Sequence, residues 1–513
     1  MQRITRIVVI TLALLATACS TPETTAPDLP AEASMVPTGA MSTAAGASPS
    51  TVVAPKQEAQ PQVVVYPNPG DLTEAKGLSQ SKVFTVTVNR TPAFVYEASG
   101  GWSFFNFAFA DTEAQVVVTV NEQIDTWQVR PVSAEISAVQ TGNVFTFAFA
   151  QPMKLVLQIN GPNSEKLLIS AEAPETQIPD PKDPSVLYYG PGVHYMGYKY
   201  DPPLSIHTVY LAGGAVVRGT LFSGARSGLS ILGRGIFAMG EWPHDPQQGL
   251  SLIGTSGLVI DGITVVDSPG WQLTIPGSNG AIIHNVKLLA TKDHYNTDGV
   301  SMCCTRSVKI SDFFILANDD SFPVDGSTRR LEVRDGLLWN STNGHSFMLA
   351  GRQTGTYDVL FENIDVLENG GSNAGVFGSS WGGARPYPVS GVTFRNIRIE
   401  NATSADGSRI PMFDMKIGPE SMYNDGSLGR IQDIRFENVS FPFGGGWIKG
   451  LDTKNGFSNI IFVNCTVGGK PLNDISQLGL QTAFVTDLRA QYDLPLEATS
   501  AAPEATSAAT RAP

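Results

Sequence analysis

Three carboxylates stand out by residue type and spacing. Asn296-Thr297-Asp298-Gly299 and Asn318-Asp319-Asp320 put Asp319 21 positions after Asp298, with Asp320 directly behind it. If the chain between them is one turn of a repeating coil, both segments stack on one face and the carboxylates converge. Like charges within several ångströms cannot all ionise cheaply, so at least one pKa must rise. A protonated carboxyl beside ionised ones is what acid/base hydrolysis of a glycosidic bond requires. Inverting glycosidases hold acid and base about 6.5–9.5 Å apart with a water between them, and carboxylates on successive coils can meet that separation. Either segment alone would read as an ordinary turn or a calcium loop; the one-coil offset sets the pair apart.

Around these acids, candidates for sugar contact are aromatic or planar. Trp271, Tyr295, Trp339, Trp381 and Trp447 offer faces for pyranose rings, and His345, Arg352 and Lys416 offer donors to hydroxyls. Tyr295 adjoins the first acidic segment. For each of them, packing in a core or a loop is the competing reading. Cys303, Cys304 and Cys465 are too few and too unevenly spaced for a zinc site or a disulfide framework and read as small core residues. No metal or organic cofactor is expected.

The elements that would position this chemistry repeat. Between residues 187 and 478 a polar Asn or Asp, once Gly, recurs between two apolar half-strands at Gly233, Asp261, Asn285, Asp312, Asp335, Asn363, Asn396, Asn438 and Asn464. Successive intervals are 28, 24, 27, 23, 28, 33, 42 and 26 residues. Strands at a period in the twenties, with no helical pattern between them, indicate a solenoid. The expected architecture is a right-handed parallel β-helix, each coil stacked about 4.8 Å above the last. The recurrent Asn/Asp would occupy a tight interstrand turn. The two long intervals would bulge as loops forming a groove wall. A propeller fits less well, because its blades need about 40–45 residues.

Ahead of the solenoid, residues 63–178 alternate short apolar strands with NRTP, SGG, TGN and NGPN turns, the pattern of an antiparallel β-sandwich. The chain is therefore expected to be all-β, a sandwich followed by a β-helix. Residues 20–62 and the tail 496–513 are dominated by Thr, Ala, Pro, Ser and Glu and cannot bury enough apolar surface to order. Residues 1–19 carry a basic start, a short apolar run and Ala16-Thr-Ala-Cys19. This suits a bacterial lipoprotein-type signal with Cys19 as the lipidation site. The expected location is outside the cell, tethered by that lipid or secreted, with no other membrane association.

Of 513 residues, 34 are Lys or Arg and 47 Asp or Glu, a net charge of −13. That sign argues against nucleic acid as a partner and mildly against a polyanionic substrate. Glycine and proline number 51 and 34, and only 16% of residues are charged, which suits a turn-rich β protein and excludes a coiled coil. A monomer is expected, because a solenoid needs no partner.

The order of the motifs resembles a clan of inverting glycosidases that includes the polygalacturonases and glycoside hydrolase family 49, the dextranases and isopullulanases. Val129-Arg-Pro-Val-Ser133, Val186-Leu-Tyr-Tyr-Gly-Pro-Gly-Val-His-Tyr195 and Thr208-Val-Tyr-Leu-Ala-Gly-Gly-Ala-Val-Val-Arg-Gly219 are similar to segments of family 49. So is the order of the acidic motifs, Leu338-Trp339 and Val359-Leu-Phe-Glu-Asn363. The resemblance spans roughly residues 65–470. It implies Asp319 as general acid, and Asp298 with Asp320 holding the attacking water. Two departures matter. Pro323 stands where that family has Lys, and Met348-Leu-Ala-Gly-Arg352 keeps an Arg but not the preceding Trp. Asn343-Gly-His345-Ser is similar to the Gly-His-Gly of polygalacturonases. The Arg-Ile-Lys with which those enzymes hold the uronate has no counterpart at a fitting distance, since Lys416 lies 71 residues beyond His345. The implied activity is inverting hydrolysis of a polysaccharide, a dextran-like α-glucan. The alternatives are a polygalacturonase-like hydrolase and a glycan-binding β-helix without catalysis.

Overall fold

The computed structural model describes residues 63–161, 164–245, 249–291, 294–340, 342–349, 355–371, 374–379, 388–404, 406–418 and 429–493. The signal, linker and tail assignments, Cys19, Arg352, Trp381 and much of the two long intervals lie outside these residues.

Residues 63–172 form two facing sheets of seven and five strands. Alternation drives their packing. Val144–Phe149 turns Phe145, Phe147 and Phe149 inward against Phe105, Phe107, Val116 and Val118. The strand pairs are antiparallel with one exception: Lys166–Glu172 runs parallel to Trp102–Phe109. This strand escapes a search for alternation because both its faces are buried. Leu167, Ile169 and Ala171 face the sandwich core, whereas Leu168 faces the solenoid. The strand Trp127–Arg130 pairs with Met153–Ile159. The strand ends at Arg130, and Val132–Ala134 is a single 3-10 turn.

From Val186 the chain winds into a parallel β-helix whose coils build three stacked sheets. The recurrent polar residues explain the winding. Asn285, Asp312, Asp335, Asn363, Asn396, Asn438 and Asn464 all have φ between 51° and 56°, the left-handed region that Asn and Asp tolerate best after glycine. Gly233 holds the same corner, and after Asp261 it passes to Gly262. Side chains also link this column, with Asn363 Nδ2 donating to Asp335 Oδ1 at 2.6 Å and Asn438 Nδ2 to Asn396 Oδ1 at 3.0 Å. A second left-handed corner, through Ser307, Arg330, Asp358, Asp433, Asn459 and Asp487, mixes residue types and so leaves no sequence signature. Inside, Phe361, Phe394, Phe436 and Phe462 stack in register, 4.6–5.3 Å apart. Gln481–Ala483 and Val485–Gln491 add a coil beyond residue 478, where the repeat pattern had ended. Their polar, half-exposed strands carry no apolar run to announce them.

The sandwich docks on one sheet of the solenoid. Trp102 meets Trp339 edge-on at 5.0 Å, with Leu289 and Leu316 below in register. Trp339 is 3% exposed, so it belongs to this interface and is not available to stack on sugar. The 129–133 segment is a clamp. Arg130 pairs with Glu400 at 2.6 Å and Glu368 at 3.4 Å, and Ser133 Oγ donates to Asp365 at 2.8 Å.

At the centre of the interface, fully buried Glu172 pairs with Lys287 at 2.6 Å and Arg234 at 2.8 Å. Glu172→Ala would strand two buried cations, and removing one partner of such a cluster costs about 3–5 kcal/mol. A urea midpoint lowered at unchanged slope is the expected result, partly recovered by adding Lys287→Met. A loss below about 1 kcal/mol would mean the cluster is solvated like a surface pair.

Candidate active site

Backbone pairing between coils brings the acidic segments together. Gln272 N donates to Asp298 O at 3.0 Å, Gly299 N to Asp320 O at 3.0 Å, and Ser321 N to His345 O at 2.8 Å. Gln272, Asp298, Asp320 and His345 thus lie on successive coils. Each stands just ahead of a strand of one sheet: Leu273–Thr274, Val300–Cys303, Pro323–Asp325 and Phe347–Leu349. The one-coil offset inferred from spacing is the offset seen.

Each acid is held differently. Asp319 Oδ2 accepts from Asn296 N at 3.2 Å and Asn343 Nδ2 at 3.3 Å, and Oδ1 accepts from Asp320 N at 3.0 Å. Burial and the neighbouring Asp320 charge nevertheless push Asp319 up to about 6, against those donors. Asp320 Oδ1 accepts from the backbone N of His345 at 2.7 Å and meets its Nδ1 at 2.9 Å. Gly344, at φ +75°, lies flat against the Asp319–Asp320 peptide; a Cβ there would fall 2.3 Å from it. That explains the glycine before His345.

Asp298 is 7% exposed, and its Oδ1 is buried without a hydrogen-bond partner. Burial, then the charges of Asp319 and Asp320, raises its pKa well above the usual carboxylate range. This departs from the division of roles implied by the resemblance, in which Asp298 is ionised. Its burial instead makes Asp298 reluctant to give up a proton.

The remaining candidates among the described residues lie on the same coils or on neighbouring ones. Tyr295 is 66% exposed, its ring 4.2 Å from that of His244, which stacks on His294 at 5.6 Å. Trp271 is half-buried on the preceding coil, next to Gln272. The outward positions of the sheet form one row in register: Thr274, Ser301, Pro323, Met348, Gly378, Asp414, Trp447 and Gln481. Lys416 lies beyond Gly378 in this sheet, paired with Asp414 at 3.0 Å and over the Trp447 ring at 4.8 Å. Among the described residues no group of three His, Cys, Asp or Glu is arranged to hold a metal. Cys465 is a core residue as expected, but Cys303 and Cys304 are half-buried at the end of the strand Val300–Cys303, their sulfurs 2.8 Å apart.

Sequence reasoning missed His244, Met348, Gly378 and Asp414. His244 carries no motif and arrives from an earlier coil. Asp414 follows a long interval, and only counting strands coil by coil would have brought it to the floor.

Residues 245–473 match the family model "Glycosyl hydrolases family 28". The matched family is thus the polygalacturonase side of the clan, whereas the sequence motifs had singled out family 49. A probable exopolygalacturonase B of Aspergillus terreus is 29% identical over 192 residues, 35% of this chain and 42% of that protein. The isopullulanase of Aspergillus niger is 25% identical over 317 residues, 53% of this chain and 54% of that protein. The chain therefore spans about half or less of the length of these curated relatives. Dex49A from Penicillium minioluteum superposes with a TM-score of 0.58 at 15% identity, over 84% of this chain and 96% of that one, a likeness of fold.

Proposed function

We propose that the chain hydrolyses the glycosidic bonds of a neutral, dextran-like α-glucan outside the cell, with inversion at the anomeric carbon. The observation that carries hydrolysis is the stack of Asp298, Asp319 and Asp320 on adjacent coils, with His345 against Asp320. Asp319, pushed up to about 6, suits a general acid that is still protonated in mildly acidic surroundings. Asp320 would draw a proton from the attacking water. Tyr295 and Trp271 would stack on sugar rings along the groove.

Neutral sugar is supported by the groove floor. Beside the acids it runs Ser301, Pro323, Met348 and Gly378, none of them a cation, and the imidazole that crosses Gly378 is already set between Asp320 and Asp414. The first lysine among the described residues of that sheet, Lys416, is three coils beyond Pro323 and already paired with Asp414. A uronate at the acids would add a carboxylate to a site that raises the pKa of those it has. The isopullulanase likeness agrees with this reading. The family 28 match and the exopolygalacturonase likeness favour a second reading, polygalacturonate.

Reducing-sugar release from dextran, pullulan and polygalacturonate by the purified protein separates the two. Release from a glucan, with the fresh product of inverted configuration by proton NMR, is the expected outcome. Release from polygalacturonate alone would overturn the neutral substrate. Glycan binding without product from any of them would replace hydrolysis with recognition.

A further inference from the structure

His345 reaches further than Asp320. Its ring lies across the neighbouring strand Phe377–Ser379 at Gly378, where a Cβ would fall 2.1–2.5 Å from the ring atoms. In register, Gly378 separates Met348 from Asp414. Because this one position lacks a side chain, the imidazole can span it and bring Nε2 to 3.6 Å from Asp414 Oδ2. That separation is an ion-pair distance, longer than a hydrogen bond, so charge couples the two groups. Asp414 is itself held from behind by Trp447 Nε1 at 2.5 Å and Lys416 Nζ at 3.0 Å.

We propose that Asp414 is a positioning residue for the acid cluster: acting by charge on His345 across Gly378, it keeps the imidazole cationic and its Nδ1 committed as a donor to Asp320. Every charged group facing this ring among the described residues fits the scheme. Asp320 meets Nδ1 and Asp414 meets Nε2. Asp319 is turned to Asn296 and Asn343, Asp298 sits one coil beyond Asp320, and Lys416 lies on the far side of Asp414. Burial opposes a charged imidazole, yet the two carboxylates outweigh it and lift His345 from 6.5 to about 9. A neutral ring could donate from only one nitrogen and would leave the other carboxylate without its counter-charge.

The test is a titration of the protein labelled with nitrogen-15 at histidine, the His345 signals being identified by their loss in His345→Gln. In Asp414→Asn the midpoint of His345 should fall from near 9 by about 1–3 pH units, the effect of one opposite charge at this range. Lys416→Met, which leaves the Asp414 carboxylate facing the ring, should leave the midpoint in place or raise it. Should Asp414→Asn fail to fold, Gly378→Ala moves the ring away without altering either carboxylate, and the same fall is expected. An unmoved midpoint in a folded Asp414→Asn protein overturns the proposal.

Only the kinetic arm rests on the hydrolase reading. There, kcat of Asp414→Asn should lose an additional factor of about ten per pH unit above the new His345 midpoint, with KM unchanged, because a second proton is then required. If no glycan is hydrolysed, the hydrolase reading fails while the NMR titration still decides the role of Asp414.

Discussion

Asp319→Asn should lower kcat by about 10²–10⁴-fold, the usual share of a general acid, and at the same time make the protein more stable above pH 6. The two effects share a cause. Burial and the Asp320 charge raise Asp319 from 3.8 to about 6, so the fold prefers this carboxyl protonated. A folded-state pKa above the unfolded one contributes stability that is fully present below about pH 3.8 and is lost as pH rises through about 6. Near pH 8 the native wild type therefore carries a cost of up to about 3 kcal/mol at this one group. The isosteric amide carries none of it. Urea midpoints of the two proteins should coincide near pH 3.5 and separate near pH 8 in favour of the variant. A substrate whose leaving group needs no proton, such as a dinitrophenyl glycoside, should be hydrolysed with far less loss. Full activity in Asp319→Asn would remove it from the reaction. A loss of activity with a parallel loss of stability at both pH values would make its role structural.

How far the sequence carried this reading depends on where each signal is written. The solenoid was legible because a left-handed corner at each coil selects Asn, Asp or Gly, and a short list of residue types at a fixed place makes a visible period. The acid cluster was legible for a related reason. Asp298, Asp319 and Asp320 lie in intervals of ordinary length, so sequence separation equals spatial offset. The parallel sandwich strand Lys166–Glu172 was not, since burial on two faces erases the alternation that identifies strands. Trp339 misled because an exposed sugar platform and a tryptophan packed between domains are spelled alike; only Trp102 across the interface tells them apart. Asp414 was hidden by the 42-residue interval from Asn396 to Asn438, which breaks the link between distance along the chain and position on the floor. Gly378 was invisible for a different reason. Its contribution is an absence, the space through which His345 passes.

Asp320→Ala should also cost about 10²–10⁴-fold, but unlike Asp319→Asn it should be rescued by azide. Removing this side chain would take away the group proposed to draw a proton from water and would open a space beside His345. Azide is ionised without help and can occupy that space. Its nitrogen would bond to the anomeric carbon as the bond to the leaving oxygen breaks, with the proton supplied by Asp319, to give a glycosyl azide of inverted configuration. The acidity of the site should change as well. Without the Asp320 charge, Asp319 falls below about 6 and His345 below about 9, because Asp320 helps raise both. The alkaline limb of the rescued reaction should therefore lie at lower pH than that of the wild type with water. The same experiment on Asp298→Ala decides what its burial leaves in tension with the resemblance. If Asp298 retains its proton in the working enzyme, as burial and its like-charged neighbours favour, azide should not rescue its loss and Asp320 alone is the base. Rescue of Asp298→Ala but not of Asp320→Ala would exchange the two roles. It would also mean that substrate binding frees Asp298 of its proton.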